Sequence, residues 1–222
     1  MWMPRQPRIV LPEVAHHCTQ RGTNRERVFF TDADRKVYLH LLQENAEFAG
    51  LRILAYCLMP NHVHHIVVPA RPDSLSLAFR RTHGRYAQYL NARRTRTGHL
   101  WQNRYFSCAL DESHLWTAVR YVERNPVRSG LVDSVEAYEW SSAQAHLTGA
   151  DTRDLVDMSW WAAAGGVERW QDLMASPEEL DAIRLLQRHT YGGRPLGSEE
   201  FLEEIAKTQA APLKYLRASS AA

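Results

Sequence analysis

The 222-residue sequence lacks the features that would place it in a membrane or secreted class. No apolar run approaches the roughly 18 residues that a membrane-spanning helix needs. The first residues, MWMPRQPRIVLP, contain no apolar segment of the kind found in signal peptides. The three cysteines, Cys18, Cys57 and Cys108, form no C-x-x-C pair, and we expect them to be buried thiols. These absences predict a cytoplasmic globular protein that makes no membrane contact.

Lysine is scarce, and acidic residues are unevenly distributed. Only three of the 27 basic residues are lysine, and the others are arginine, whose planar guanidinium grips phosphate and stacks on bases. The net charge is only +2, but residues 1–110 carry 16 basic and 7 acidic residues, whereas residues 111–222 carry 11 and 18. This asymmetry indicates a polyanion-binding first half, with an acidic appendage that modulates it by lying near the basic surface.

Residues 74–110 contain no aspartate or glutamate at all. Arginine and aromatic residues alternate there, a composition that suits phosphate neutralisation and base stacking in a nucleic-acid interface. The alternative is a solvated basic helix with ordinary core aromatics. The arginines are Arg80, Arg81, Arg85, Arg93, Arg94, Arg96 and Arg104, and the aromatic residues are Phe79, Tyr86, Tyr89, Trp101, Tyr105 and Phe106.

The hydrophobic patterns predict an α+β fold. Strand and helix periodicities alternate as β-α-β-β-α-β-α, which is typical of a ferredoxin-like antiparallel sheet with helices on one face. We expect this domain to occupy residues 1–150, followed by a small helical C-terminal extension over 151–222. The predicted strands are Glu13–Arg21, Leu51–Met59, His62–Pro69 and Arg104–Leu110, and the predicted helices are Asp32–Phe48, Leu75–Arg94, Asp111–Asn125, Asp181–His189 and Ser198–Lys207.

His62-Val63-His64 lies within a predicted strand. Because alternate side chains of a strand point to the same face, His62 and His64 should lie together, with Cα atoms roughly 7 Å apart. Two imidazoles at this spacing can share one divalent metal ion. His65 falls on the opposite face, so we expect it to be a packed or surface histidine.

Tyr121 and Asn125 are four residues apart in a predicted helix, so they share one face of it. Their angular position is beside the apolar stripe rather than in its centre. Taken alone, such a tyrosine is usually a packing residue, and an asparagine before proline is usually a helix cap. We expect Pro126 and Gly130 to end this helix.

Three motifs, taken in chain order, resemble those of the REP-associated tyrosine transposases, a branch of the single-tyrosine HUH transposases of the insertion-sequence-200 type. They are MPNHVH at residues 59–64, LWQNRY at residues 100–105 and YVERNPVRSGLV at residues 121–132. The resemblance covers about residues 5–147. TQRGTNR at residues 19–25 and GRPLGS at residues 193–198 are also similar to stretches of that branch.

The resemblance implies a ferredoxin-like HUH domain in which His62, His64 and Asn125 hold Mg²⁺ or Mn²⁺ and Tyr121 is the nucleophile. It implies nicking and strand transfer on hairpin-forming repeats through a covalent 5′-phosphotyrosine. The expected partner is single-stranded or hairpin DNA, bound by a monomer or a homodimer. The residues expected to contact DNA are Arg21, Arg25, Arg80, Arg81, Arg85, Arg93, Arg94, Arg96, Trp101, Arg104 and Arg128.

Two other functions are compatible with the same residues. The first is a domesticated, non-catalytic binder of DNA or RNA hairpins, although the intact His62, His64, Tyr121 and Asn125 argue against loss of chemistry. The second is an unrelated metal hydrolase or an RNA-binding ferredoxin-like domain in which Tyr121 is structural. In that case, replacing Tyr121 with phenylalanine would leave activity or binding unchanged.

Overall fold

The structure is a computed structural model that describes residues 8–208 and Leu216. Residues 217–222, which the sequence suggests are frayed, lie outside the described residues. A four-stranded sheet forms the centre of the fold, and its strand order is β2-β3-β1-β4, with every neighbouring pair antiparallel. This order confirms the predicted ferredoxin-like arrangement. The strands are β1 (His16–Arg21), β2 (Leu51–Met59), β3 (His62–Pro69) and β4 (Phe106–Ala109).

The β2–β3 hairpin is buried on both faces of the sheet. In β2 every residue except Arg52 is buried, and in β3 every residue except the half-buried His62 is buried, although three residues of β3 are histidines. A sheet that is buried on both sides must be covered on both sides. The expectation that the helices lie on one face is therefore wrong, because helices pack against each face of this sheet.

Two long helices cover the first face of the sheet. They are α1 (Asp32–Ala49) and α2 (Ser74–Arg93), which pack against each other and against β2. A capping box starts α1, since the Thr31 side chain accepts a hydrogen bond from the backbone amide of Asp34 and the Asp34 carboxylate accepts one from that of Thr31. The helix ends at Gly50, whose φ of 61° is the left-handed conformation that favours glycine.

The second face is covered by α3 (Glu112–Arg128) and, beside it, by α7 (Leu180–Gly192). The Asp111 carboxylate caps α3 by accepting from the amide of His114. The prediction that Pro126 ends α3 is wrong, because the helix continues to Arg128. It ends in a Schellman motif, in which the amide of Gly130 donates to Val127 and that of Leu131 to Pro126. Gly130 has φ of 65°, so the predicted role of this glycine is confirmed.

The remaining helices follow in the second half of the chain. The last two helices, α7 (Leu180–Gly192) and α8 (Glu199–Thr208), agree with the predicted helices over Asp181–His189 and Ser198–Lys207. Residues of this half, among them Leu155, Ile183 and Leu186, join the same hydrophobic core as the sheet. No helix among the described residues is long and apolar enough to cross a membrane. The helices not yet named are α4 (Ala143–Thr148), α5 (Met158–Ala163), α6 (Gly166–Ala175) and α8 (Glu199–Thr208).

A buried carboxylate ties the C-terminal helices to α3. Glu123 is completely buried, and one of its oxygens accepts from the indole N–H of Trp170 at 2.6 Å. The other oxygen contacts the hydroxyl of Ser142 and lies 2.6 Å from Nδ1 of His146. A buried carboxylate requires such partners, and here they come from two separate segments, α4 with its N-cap Ser142 and α6. Glu123 therefore fixes α4 and α6 on the outer side of α3.

Candidate active site

The sheet and α3 bring the predicted histidines and tyrosine together. His62 and His64 point to the same face of β3, with ring centroids 4.9 Å apart. Tyr121 packs edge-on against His64, with ring centroids 5.4 Å apart. His65 points to the other face, where its Nε2 lies 3.3 Å from the hydroxyl of Tyr38. The alternation of side chains along β3 therefore places His64 and His65 on opposite faces of the sheet, as the sequence pattern predicts.

A chain of hydrogen bonds fixes which nitrogen of His64 carries its proton. The hydroxyl of Thr190 donates to the carbonyl of Leu186, so it accepts from Nδ1–H of His17 at 2.8 Å. Burial lowers the pKa of His17 to about 3, so its ring is neutral and its Nε2 is an acceptor. That Nε2 lies 2.9 Å from Nδ1 of His64, which must donate. The Nε2 lone pair of His64 is therefore left for a ligand.

The same reasoning applies to His62, through a shorter chain of hydrogen bonds. The amide nitrogen of Asn61 donates to the carbonyl of Arg25 at 3.0 Å, so its oxygen accepts from Nδ1–H of His62 at 2.6 Å. This leaves the Nε2 lone pair of His62 available. Burial and the nearby charge of Arg21 lower the pKa of His62 to about 4, so the ring is neutral at physiological pH. Arg25, expected to contact DNA, thus orients a histidine through its backbone.

Asn125 lies one turn after Tyr121, as predicted, and is buried. Its amide nitrogen donates to the backbone carbonyl of Tyr121 at 3.1 Å, so the amide orientation leaves the oxygen uncommitted. His62, His64 and Asn125 thus share one property. In each of them one polar atom is held by the protein, and a second atom with a lone pair is free to bind a ligand.

Imidazole nitrogens and an amide oxygen are donor types that could bind a divalent metal ion. The described residues contain no group of three or more His, Cys, Asp or Glu side chains that could hold a metal, so a site built on His62 and His64 would need a third ligand of another type, such as the amide oxygen of Asn125. Two imidazole nitrogens and one amide oxygen suit Mn²⁺ and Zn²⁺ better than Mg²⁺, which prefers oxygen ligands. All three donors are neutral, so they would not cancel the charge of the ion.

Tyr121 is more buried than its position beside the apolar stripe suggests, because α7 covers it. Only 5% of the residue is exposed, and its hydroxyl oxygen accepts a hydrogen bond from the amide of Gln187 at 3.0 Å. The guanidinium of Arg128 lies 4.8 Å from the centre of the ring. Burial raises the pKa of Tyr121, while the Gln187 hydrogen bond and the charge of Arg128 oppose that rise.

Three arginines of α3, Arg120, Arg124 and Arg128, contact the segment that joins α6 to α7. Glu178 lies 2.7 Å from Arg128 and 3.3 Å from Arg124. Arg120 donates to the backbone carbonyl of Pro177 at 2.8 Å. Arg120 and Arg124 are half-buried and Arg128 is exposed, and the partners of all three come from residues 177–178. These three arginines themselves belong to residues 111–222, so the contacts do not test the expectation that the acidic appendage lies near the basic surface of residues 1–110 and modulates it, which stays a prediction.

Several residues expected to contact DNA lie near one another in the fold. Arg80, Trp101 and Arg104 line one cavity between α2 and the loop before β4. Arg21 pairs with His62 in the β1–β3 register, so it lies beside the histidine pair. Gln20, which lines the cavity, and Arg21 are consecutive residues of β1, so part of the predicted basic surface lies near the C-terminal end of this strand, on its two faces.

Other members of that set already have partners within the protein. Arg81 donates to Asn45 at 2.8 Å, and Arg85 pairs with Glu44 at 2.6 Å, both on α1. Exposed ion pairs of this kind are weak, so a phosphate can replace the carboxylate. Among the aromatic residues, Tyr86 is fully buried and belongs to the core. Arg93, Arg94, Arg96 and Arg128 contact Asp34, Phe30, Glu26 and Glu178, respectively.

Sequence reasoning missed His17, Thr190, Gln187 and Asn61, which hold the site residues in place. His17 carried a weak signal, since it alternates with Thr19 and Arg21 on a predicted strand. Nothing local indicated that this strand lies beside β3. Thr190 and Gln187 are more than 60 residues beyond Tyr121, and no pattern in their helix distinguishes them from ordinary polar positions.

Comparison with known proteins agrees with this arrangement. The IS200-like transposase family matches residues 11–125, which is more than half of the chain. A REP-associated tyrosine transposase bound to a REP hairpin is similar in structure, with a TM-score of 0.57 and 19% identity, covering 71% of this chain and 91% of that one. This similarity supports the predicted HUH fold.

A transposase candidate from Deinococcus radiodurans R1 is also 19% identical, with a TM-score of 0.38, covering 55% of this chain and 97% of that one. No curated protein matches the chain. The family match spans β1 to β4 and most of α3, including both histidines, Tyr121 and Asn125. The chain therefore belongs to the IS200-like transposase family.

Proposed function

We propose that the protein nicks and rejoins single-stranded DNA at hairpin-forming repeats, with Tyr121 as the nucleophile and His62, His64 and Asn125 as ligands of Mn²⁺ or Mg²⁺. One observation carries the proposal. Two neighbouring strand histidines have uncommitted Nε2 lone pairs, and one of them, His64, lies against the ring of Tyr121 on a neighbouring helix. Neither packing nor stability requires this combination, whereas phosphodiester transfer does.

A metal ion bound by this set would neutralise charge on the scissile phosphate and orient that phosphate for in-line displacement. The ligands His62, His64 and Asn125 are neutral, so the full charge of the ion would remain to attract the DNA. Metal and DNA phosphate should therefore bind cooperatively, each raising the affinity for the other. The tautomers fixed by His17 and Asn61 prepare both imidazoles for this role in advance.

Tyr121 forms a bond from its phenolic oxygen to the phosphorus, and the bond from phosphorus to the 3′ oxygen breaks. The products are a 5′-phosphotyrosine and a strand that ends in a free 3′-OH. Attack of another 3′-OH on the phosphotyrosine reverses the step and joins the strands without ATP. The phenol must lose its proton to solvent as it attacks, and the Gln187 hydrogen bond stabilises the developing phenolate.

Hairpin DNA as the substrate is supported by two facts. The similar solved transposase is bound to a REP hairpin. In this chain, Arg80, Trp101 and Arg104 lie together with an aromatic cluster on the opposite side of the sheet from Tyr121. A single strand that reaches both surfaces would pass the exposed end of β1, where Arg21 lies beside His62.

A covalent-capture assay tests the proposal. Hairpin oligonucleotides with single-stranded flanks, taken from repeats beside the gene, are incubated with the full chain and Mn²⁺ or Mg²⁺. We expect a denaturation-resistant protein–DNA band that requires metal and is absent in Tyr121→Phe. Tyr191→Phe is the matched control, because Tyr191 is a half-exposed tyrosine of α7 and should retain the band.

The non-catalytic hairpin binder is the second candidate, and the burial of Tyr121 under α7 favours it. A closed tyrosine is expected of a protein that has kept the fold and lost the chemistry. Tight hairpin binding by the wild type with no covalent band under any metal would establish that function and reject the nuclease.

A further inference from the structure

Arg21 places a positive charge beside the two candidate metal ligands of β3. It lies directly opposite His62 in the β1–β3 register, so its side chain points to the same face of the sheet as His62 and His64. The residue is half-buried, and its guanidinium makes no hydrogen bond or ion pair with any residue that the structure describes. Its charge reaches both rings, since it helps to lower the pKa of His62 and that of His64.

The arginine on the other side of Tyr121 has a counter-charge. The guanidinium of Arg128 lies 4.8 Å from the centre of the Tyr121 ring, and the Glu178 carboxylate pairs with it at 2.7 Å. Within the described part of the chain, no carboxylate does the same for Arg21. None joins the histidine pair either, since no group of three or more His, Cys, Asp or Glu side chains that could hold a metal is found there. The pair therefore has one uncompensated positive charge beside it.

This arrangement is unfavourable for a divalent cation that arrives alone. Charges of like sign repel, and the repulsion between a guanidinium and a doubly charged ion is stronger in a half-buried site than in water. The neutral side chains of His62, His64 and Asn125 do not offset it. A phosphate beside Arg21 would reverse the balance, because its anionic oxygens can pair with the guanidinium and also attract the ion.

We propose that Arg21 binds the scissile phosphate of the DNA, and that its charge keeps a divalent metal ion from the histidine pair until that phosphate is bound. This inference rests on the function proposed above and adds an order of binding to it. Arg21 is then a residue of the reacting centre rather than one more contact to the DNA backbone. Its forked guanidinium can hold two phosphate oxygens and stabilise the negative charge that develops on them during transfer.

Titration of Mn²⁺ by electron paramagnetic resonance tests the order of binding without cleavage. The full chain is titrated without DNA, in a buffer free of phosphate. We expect Arg21→Gln to bind Mn²⁺ about 5- to 50-fold more tightly than the wild type, because a repelling charge has been removed. Arg21→Lys keeps the charge and should bind Mn²⁺ as weakly as the wild type.

Arg71→Gln is the matched control for the loss of one positive charge. Arg71 is exposed and follows the end of β3 that lies farthest from His62, so its replacement should leave the Mn²⁺ affinity unchanged. Arg21→Gln should also keep the wild-type melting temperature, since its guanidinium has no partner in the described part of the chain. A lower melting temperature would give Arg21 a structural role and overturn the inference.

The covalent step should respond in the opposite direction to metal binding. In single-turnover assays with hairpin DNA and Mn²⁺ at saturation, we expect Arg21→Gln to slow adduct formation by more than about 10-fold, since the phosphate has lost a charged partner. Arg21→Lys should be slowed less, and Arg71→Gln should match the wild type. Tighter metal binding together with a slower reaction is a result that simple damage to the fold would not produce.

The outcomes separate this inference from the proposed function. A Mn²⁺ affinity for Arg21→Gln no higher than that of the wild type, or an unchanged rate, would overturn the role of Arg21. Either result would leave the proposed nuclease standing, because the covalent band and its loss in Tyr121→Phe do not require that role. If the wild type forms no covalent band under any metal, the proposed function falls and the inference falls with it.

Discussion

His64 and His65 are adjacent in the chain, and they have entirely different surroundings. His64 faces α3, where its Nδ1 donates to His17 and its ring touches Tyr121. His65 faces α1 and α2, where it lies against Tyr38 and Phe79. His64 keeps a free lone pair beside the Tyr121 ring, and His65 packs in the core. The comparison shows that the residue type alone does not make a site, whereas the sheet face and the partner of the second nitrogen do.

The two histidines should respond oppositely to substitution. We expect His64→Ala to reduce metal-dependent covalent adduct by more than about 100-fold, since it removes a ligand. His65→Leu should keep the metal requirement and lower the melting temperature, because it leaves the Tyr38 hydroxyl with one partner fewer. Initial rates at fixed Mn²⁺, together with thermal unfolding, measure both effects. A normal rate for His64→Ala would contradict the division between the faces.

Acid should lower the free energy of unfolding through buried histidines on both faces of the sheet. Burial lowers the pKa of His16 and His62 to about 4 and that of His17 and His83 to about 3. Their folded pKa values lie below 6.5, so between pH 6.5 and about 4 the unfolded chain binds protons that the folded chain does not. Stability is therefore complete above pH 6.5 and declines as the pH falls through this window.

At pH 5 the loss should be at most about 2 kcal/mol for each such histidine, since the pH then lies roughly 1.5 units below the unfolded pKa. Urea unfolding at pH 7.5 and pH 5 measures the difference in the free energy of unfolding. His83→Leu removes one of these groups from the face of α1 and α2, and it should make that difference smaller. An unfolding free energy independent of pH would show that these rings have the same pKa in the folded and the unfolded chain.

Thr190 orients His64 without touching it, so its replacement should have a smaller effect. Thr190→Val removes the acceptor for His17 and releases the tautomer of His64, which should weaken Mn²⁺ binding by about 10- to 100-fold. Thr208→Val is the matched control, because the Thr208 hydroxyl also donates to a carbonyl four residues earlier, in α8. Titration of Mn²⁺ by electron paramagnetic resonance measures both variants. Equal affinities would show that the hydrogen-bonded chain is structural only.

The smallest effect on DNA binding is expected at Glu178, which forms ion pairs with Arg124 and Arg128. Glu178→Gln should free these cations for DNA phosphate and tighten hairpin binding by about 2- to 5-fold at low salt, since such ion pairs are weak. Glu168→Gln, at an exposed position of α6, changes the net charge equally and serves as the control. A gain that is the same in both variants would assign the effect to net charge.

Local sequence patterns predicted the elements that hold the site well. The bounds of β2 and β3 are those expected, because each is a short, nearly continuous apolar run and Pro60-Asn61 breaks the chain between them. Apolar residues at consecutive positions, Ile53–Met59 in β2 and Ile66–Val68 in β3, also indicate a sheet that is buried on both faces. The expectation of helices on one face overlooked this signal. His62, His64, Tyr121 and Asn125 lie where alternation and helical spacing place them.

The parts that sequence reasoning missed depend on contacts between distant segments. Thr190 is 173 residues from His17, and no local pattern joins them. Pro126 failed as a helix end because the proline removes one hydrogen bond, whereas packing on both sides and the Gly130 motif carry α3 to Arg128. The predicted boundary at residue 150 remains untested, although Leu155 and Ile183 belong to the core of the sheet.

The identity of the covalently modified residue is the most direct test of Tyr121 as the nucleophile. After reaction with hairpin DNA and Mn²⁺, nuclease trims the adduct and trypsin cleaves after Arg120 and Arg124. We expect mass spectrometry to find a nucleotide phosphate on the peptide of residues 121–124, which contains no other tyrosine. Modification of a different residue, or an adduct that survives in Tyr121→Phe, would contradict the assignment.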